Sequence, residues 1–136
     1  MIVTGGNPEA LAPPIGPFRH YTVVPAGHRL VYLSGQVGQD RNGVLAPGGC
    51  AAQTAQTFRN LELLLGEIGA TPAHVVKLFT IVAGSGNFRE FSRARAEVFA
   101  RWYPDQDYPA HSAFVAAELA APDLLVEIEA VVAVPM

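Results

Sequence analysis

Apolar positions along this chain recur first with the period of a strand, then of a helix, then of a strand again. Residues 18–24 and 29–34 are rich in β-branched and aromatic side chains and flank Pro25-Ala26-Gly27-His28, a four-residue connection of hairpin length. The pattern predicts two strands paired antiparallel. A polar turn at Asp40-Arg41-Asn42-Gly43 follows, where Asn-Gly suits the positive φ of a tight turn. Ala51, Ala55, Phe58, Leu61, Leu65 and Ile68 then recur at spacings of three and four, one buried stripe of a helix that Gly69 ends. After Thr71-Pro72, a cap and a first-turn proline, residues 75–82 form a mostly apolar run with Lys77 and Thr80 as its polar members, and they read as a buried strand. Gly84-Ser85-Gly86-Asn87 breaks it. Phe88, Phe91, Val98 and Trp102 mark a second amphipathic helix, with Arg89, Arg93, Arg95 and Arg101 on its other faces and Pro104 as its stop. Residues 110–117 and 124–134 are strands on either side of a turn at Ala121-Pro122-Asp123, and in the last of them Leu125, Glu127, Glu129 and Val131 share one face.

The order β-β-α-β-α-β-β describes an α+β fold: one mixed sheet covered on one side by two helices. No repeat or linker divides residues 1–136, which read as one domain, and Pro8, Pro13, Pro14 and Pro17 keep residues 1–17 extended or looped, so that ordered structure begins near Phe18. The uncovered face of such a sheet needs a lid, which a closed cyclic oligomer would provide, with pockets between subunits. Composition points the same way. A mean hydropathy of +0.24 with 15% charged residues leaves apolar surface most simply hidden between copies.

A formal charge of −3 with scattered basic residues gives no footprint for a phosphate backbone, so nucleic acid is not expected as a partner. No 18-residue uncharged apolar run exists, and the opening MIVTGGNPEALAPPIGP lacks a basic n-region and a continuous h-region, so neither a membrane span nor a signal peptide is expected. The single Cys50 cannot form an intramolecular bridge, which makes the cytoplasm the default compartment.

Few residues are placed to do chemistry. Glu127 and Glu129 point to one face of an otherwise apolar strand, either as carboxylates answering Arg or Lys at a subunit seam, or as a carboxylate with a raised pKa that orients or deprotonates a water. His111, just after Tyr108-Pro109, lies where a loop enters a strand, a place for a binding residue or for a satisfied structural one. Ser34-Gly35-Gln36 ends a strand with a hydroxyl, a glycine that permits close approach and an amide, or is an ordinary glycine kink. Cys50 opens the first helix and reads as structural. His20, His28 and His74 are dispersed and no phosphate-binding or nucleophile-elbow motif occurs, so neither a metal nor a nucleotide cofactor is expected.

Ile15-Gly16-Pro17-Phe18, Val31-Tyr32-Leu33-Ser34-Gly35-Gln36-Val37, Gln53-Thr54 through Asn60-Leu61, Pro109-Ala110-His111-Ser112 and Val126-Glu127-Ile128-Glu129-Ala130 together resemble the RidA/YjgF family, in its order and near its spacing, over essentially the whole chain after residue 12. The resemblance implies a chorismate-mutase-like subunit in a homotrimer, sheets inward and helices outward, with three clefts between neighbours. It also implies hydrolysis of reactive enamines and imines, the products of pyridoxal-phosphate-dependent dehydratases, to 2-keto acids and ammonia, without a metal or cofactor. In such members an arginine of Pro-Ala-Arg-Ser clamps the substrate carboxylate, the first glutamate of Glu-Ile-Glu positions water, and a tyrosine after Ile-Gly-Pro lines the pocket with the Ser-Gly-Gln strand. On this chain the catalytic pair would be Glu127 and His111, with Phe18, Ser34, Gly35, Gln36, Arg95 and Ala113 along the substrate.

The chain departs from that pattern where it matters: the clamp arginine is His111, the tyrosine is Phe18, and an asparagine of the second helix falls near Arg95, with an apparent insertion before Pro109. Losing an arginine fork, worth about 1.5–3 kcal/mol, weakens capture of a small 2-imino acid by about tenfold to somewhat over a hundredfold. Histidine cannot reproduce its bidentate geometry. The expected function is therefore a deaminase-like hydrolase with altered substrate preference. The alternatives are a small-molecule-binding trimer without turnover and a hydrolase of another catabolic intermediate. Endoribonuclease or translation-inhibitor activity, also attached to the family, ranks last because the chain is acidic, has no basic stripe and lacks a histidine pair suited to ribose chemistry.

Overall fold

The computed structural model describes residues 2–136. Its elements are β1 (Thr4–Gly6), β2 (Tyr21–Val23), β3 (His28–Val37), α1 (Gly49–Glu67), β4 (Val75–Ala83), α2 (Phe88–Trp102), β5 (Ala110–Ala116) and β6 (Val126–Pro135), with single 3-10 turns before β4 and α2. The main sheet is mixed, in the order β3-β6-β4-β5, with β6 antiparallel to both β3 and β4 and with β4 parallel to β5. The parallel pair is joined through α2, the long crossover that such a pair requires. Phe58, Leu61 and Leu65 of α1 and Phe91, Val98, Phe99 and Trp102 of α2 form one core with Leu78, Val82, Val126, Ile128 and Val132 of the sheet. The α+β architecture, one mixed sheet under two helices, is as expected.

Five local expectations are corrected. The hairpin between residues 18–24 and 29–34 does not form, because β2 is three residues long and pairs with β1, while β3 pairs with the C-terminal strand β6. The segment before β2 is held far from β3: Arg19 donates from its backbone N to Pro109 O and from Nε to Tyr108 O, and Thr22 Oγ1 donates to Val76 O at 2.7 Å, where the β4–β6 register skips a residue. Ordered structure also begins before Phe18, with Val3 buried and β1 in place.

In α1 the buried face near the N-terminus is polar. Cys50, Gln53, Thr54 and Thr57 are buried there rather than Ala51 and Ala55. Gln53 explains the rotation, since its amide donates to Asp123 O at 3.0 Å and accepts from Leu125 N at 2.9 Å, which ties the loop before β6 to the helix. In α2 the expectation that Arg95 lies on an outer face is overturned: Arg95 is buried with Phe91, Ala94, Val98 and Phe99.

Strand β4 alternates rather than being buried throughout. Leu78, Thr80 and Val82 face the helices, and Lys77, Phe79 and Ile81 face the other way. That open face carries Leu30, Tyr32 and Phe114 as exposed apolar side chains, Tyr32 at 73%. It is the face the sequence predicts will need a cover.

Candidate functional site

Pairing fixes which predicted site residues can meet. Glu127 lies opposite Val37 on β3 and Ile81 on β4, so its side chain shares the open face with Phe79 and Ile81. His111 lies opposite Leu78 in the parallel pair, so its side chain shares the helix face with Leu78 and Thr80, and Ala113 follows it opposite Thr80. Glu127 and His111 therefore project from opposite sides of one sheet. A single chain does not bring the predicted catalytic pair together.

On the open face, the β3–β6 register shifts between Leu33 and Gln36, leaving Ser34 and Gly35 as a bulge beside Glu127. The bulge and the carboxylate fit only because residue 35 has no side chain: a Cβ there would stand 2.7 Å from Glu127 Cδ and overlap its Oε2. Gln36 Nε2 donates to Ser34 O at 3.2 Å and braces the bulge. Glu127 itself is half-buried and has no hydrogen bond or ion pair among the described residues, where the one ion pair is Arg101 with Glu62. Glu129 is exposed farther along the same face, near Lys77 and Phe79. Neither carboxylate forms an ion pair among the described residues.

On the helix face, His111 is 8% exposed and is held by Thr80, whose Oγ1 lies 2.8 Å from His111 Nε2. Burial, and then the charges of Arg95 and Lys77, push its pKa down to about 3, so the ring is neutral at physiological pH. Arg95 is 6% exposed, its guanidinium 4.8 Å above the Phe91 ring, and the same ring meets His111 edge-on at 6.5 Å between centroids. Burial brings the Arg95 pKa down to about 10, with Tyr108 acting the other way, which leaves it charged at neutral pH. Phe18 joins this group through Gly16, where a Cβ would sit 3.5 Å from the Phe18 ring and 4.0 Å from Arg95 Nη2. His111 is thus not on a loop rim but inside the β5–α2 seam.

Sequence reasoning missed Thr80 and Phe91, which hold His111 and Arg95. Thr80 had a signal, as a hydroxyl in an otherwise apolar strand. The cavity of about 210 Å³ that Tyr103, Pro72 and Arg19 line lies away from Glu127, His111 and Arg95. No group of three or more His, Cys, Asp or Glu side chains that could hold a metal ion occurs among the described residues. Among those residues no helix is long and apolar enough to cross a membrane.

The chain thus carries two carboxylates on β6 with a Ser-Gly bulge beside the first, and a histidine on β5, across β4 and on the opposite face. The family model described as Endoribonuclease L-PSP matches residues 9–134. The chain belongs to the RidA/YjgF/L-PSP family. Human 2-iminobutanoate/2-iminopropanoate deaminase is 30% identical over 118 residues, covering 86% of this chain and 80% of that protein. A protein of the conserved Rid family from Yersinia pestis has a solved structure that superposes with a TM-score of 0.82 at 36% identity, covering 97% of this chain and 98% of that one. Escherichia coli TdcF, solved with bound serine, superposes with a TM-score of 0.69 at 22% identity over 98% of this chain and 94% of that one, a likeness of fold. The RidA-type fold places Glu127 and Gly35 together and His111, Arg95 and Phe18 together, in two groups.

Proposed function

We propose that this protein hydrolyses reactive imines or enamines to 2-keto compounds and ammonia, in a cleft formed where the open face of one copy meets the β5–α2 seam of another in a homotrimer. The supporting observation is the Glu127 carboxylate, seated on the Gly35 bulge with no hydrogen bond or ion pair among the described residues, in a relative of 2-iminobutanoate/2-iminopropanoate deaminases. In that setting Glu127 orients a water and takes its proton as the oxygen adds to the imine carbon. That proton goes to nitrogen, giving a carbinolamine; the hydroxyl proton then passes by way of Glu127 to the amine as the carbon–nitrogen bond breaks, so that ammonia leaves and the carbonyl forms. One water is consumed, and the chemistry needs no cofactor. Ser34, Gly35 and Gln36 line the water side; His111, Phe18 and Ala113 line the substrate side.

The exposed apolar face of Leu30, Tyr32 and Phe114 supports assembly, because a symmetric trimer buries such a face and brings the two groups together. Histidine at 111 supports a shift of substrate preference, since an uncharged ring replaces a guanidinium. The single buried Cys50 suits the cytoplasm.

The experiment is keto-acid release from freshly generated 2-iminobutanoate, and from longer imino acids, with the parent and with Glu127→Gln. Release above the buffer rate by the parent and its loss in the variant support the reading. Equal rates with and without protein, at normal trimer content, would leave a binding trimer without turnover as the better account.

A further inference from the structure

The hydrolysis described above uses no charge on the helix face, yet the fold spends one there. Arg95 is buried on α2, its Nε has no hydrogen-bond partner, and no carboxylate stands within ion-pair distance among the described residues. An unpaired guanidinium taken out of water is costly, and its attractive contact, the Phe91 ring, supplies no acceptor. The same ring meets His111 edge-on, and His111 Nδ1 is also buried without a partner. The tautomer follows from Thr80. That hydroxyl is fully buried and its partner is His111 Nε2, so the O–H donates to Nε2, since otherwise its proton would be left unpaired. The neutral ring then carries its proton on Nδ1. Two buried N–H groups, one cationic and one neutral, thus adjoin the Phe91 ring and lack an acceptor.

We propose that Arg95 and His111 together bind the carboxylate of a small ligand with an apolar body, Arg95 supplying the charge and His111 Nδ1–H a further hydrogen bond. Planar two-oxygen recognition fits a guanidinium fork with one adjacent donor, and the Phe18, Phe91 and Phe99 rings around it suit a hydrocarbon body rather than a third anionic oxygen. The cationic clamp has then passed from β5, where the chain carries a histidine, to the buried face of α2. This deepens the deaminase reading, on which it rests for the nature of the substrate: a 2-imino acid held by its carboxylate, with Glu127 of another copy at the imine carbon.

The test is titration of benzoate into the intact protein, followed by calorimetry and by the thermal midpoint, for the parent, Arg95→Met, Arg95→Lys and His111→Phe. Saturable binding by the parent is expected, weakened about tenfold to a hundredfold in Arg95→Met, less in Arg95→Lys, and severalfold in His111→Phe. Arg95→Met is expected to keep or raise the midpoint without ligand, which a structural ion-pair partner would not do. No saturation by the parent, or equal benzoate affinity in Arg95→Met, overturns the clamp. Should Arg95→Met not fold, Arg95→Lys carries the same comparison. Imine hydrolysis measured on the same samples keeps the two readings apart. A parent that binds benzoate through Arg95 but releases no keto acid retains the clamp and loses the deaminase. A parent that hydrolyses 2-iminobutanoate with unchanged KM in Arg95→Met and Arg95→Lys retains the deaminase and loses the clamp.

Discussion

The two faces of the sheet are finished to different degrees. On the helix face, Thr80, His111, Phe91 and Arg95 come from β4, β5 and α2 of one chain, and intrachain packing alone fixes them. On the open face, Glu127 rests on the Gly35 bulge without a hydrogen bond or ion pair among the described residues, on the face that carries exposed Leu30, Tyr32 and Phe114. In the reading proposed above, folding completes the ligand-holding group and leaves the reacting group to assembly. A glutamate can be kept half-exposed and unpaired at little cost until another copy covers it, whereas a buried arginine must be fixed in place by the fold itself.

The largest effect expected from breaking this comparison is on the open face. Glu127→Gln should lower keto-acid release by about 10²–10⁴-fold, the usual contribution of a positioned proton acceptor, with benzoate affinity within a few-fold of the parent. Gly35→Ala should approach that loss without touching the carboxylate chemically, because the new Cβ displaces Glu127, and displacement by about 1 Å costs about a hundredfold. Full activity in Gly35→Ala would mean that the carboxylate does not act from its observed seat.

Mixing Glu127→Gln with Arg95→Met, at a substrate concentration too low for the weakened Arg95→Met cleft to turn over detectably, sharpens the comparison further. If each cleft takes Glu127 from one copy and Arg95 with His111 from its neighbour, trimers reassembled from equal amounts of Glu127→Gln and Arg95→Met chains contain intact clefts. Roughly one cleft in four is then intact, since each position is filled at random. Activity should return to about that fraction of the parent after co-refolding and stay absent when the trimers are mixed without exchange. A co-refolded sample as silent as its parents would place both groups in the same copy or neither in the cleft.

The sequence made one face more legible than the other for a physical reason. The outward face of Glu127 and the succession of strands and helices follow from local alternation, and local alternation survives folding. The face of Arg95 was also written in the spacing, since it stands four residues from both Phe91 and Phe99, but hydrophobic patterning assigns a charge to water and so places it outside. The same rule misplaced the front of α1, where Gln53 is buried because the backbone of Asp123 and Leu125 satisfies its amide. The β2 hairpin failed on long-range grounds: residues 18–24 are held by Tyr108, Pro109 and Val76, which no window around them contains. That Glu127 and His111 face opposite ways required the parallel β4–β5 register, which spacing alone does not give.

The pH dependence of stability probes the finished face. His111 binds a proton at about pH 3 in the fold and near 6.5 when unfolded, so between those values the unfolded chain holds the extra proton and stability falls as pH falls. The loss reaches up to roughly 5 kcal/mol by pH 3, read from urea midpoints, and His111→Phe should flatten that limb. Arg95→Met should shrink it, because one of the two charges opposing protonation is gone. A parent whose stability is level from pH 7 to pH 4 would show that the ring is not shut away from water.

The smallest expected effect separates positioning from packing on that face. Thr80→Val keeps shape and burial while removing the hydroxyl that meets His111 Nε2, so stability should drop by about 1 kcal/mol, the net worth of one hydrogen bond plus a stranded acceptor. Its second consequence is specific. With Nε2 unanswered, the imidazole proton is no longer confined to Nδ1, so benzoate binding should weaken severalfold through His111 although Thr80 touches no ligand. Cycling Thr80→Val against His111→Phe should show these losses to be non-additive, since the hydroxyl acts only through the ring. Additive losses would make Thr80 a packing residue and leave the orientation of the ring to Phe91 and Phe99.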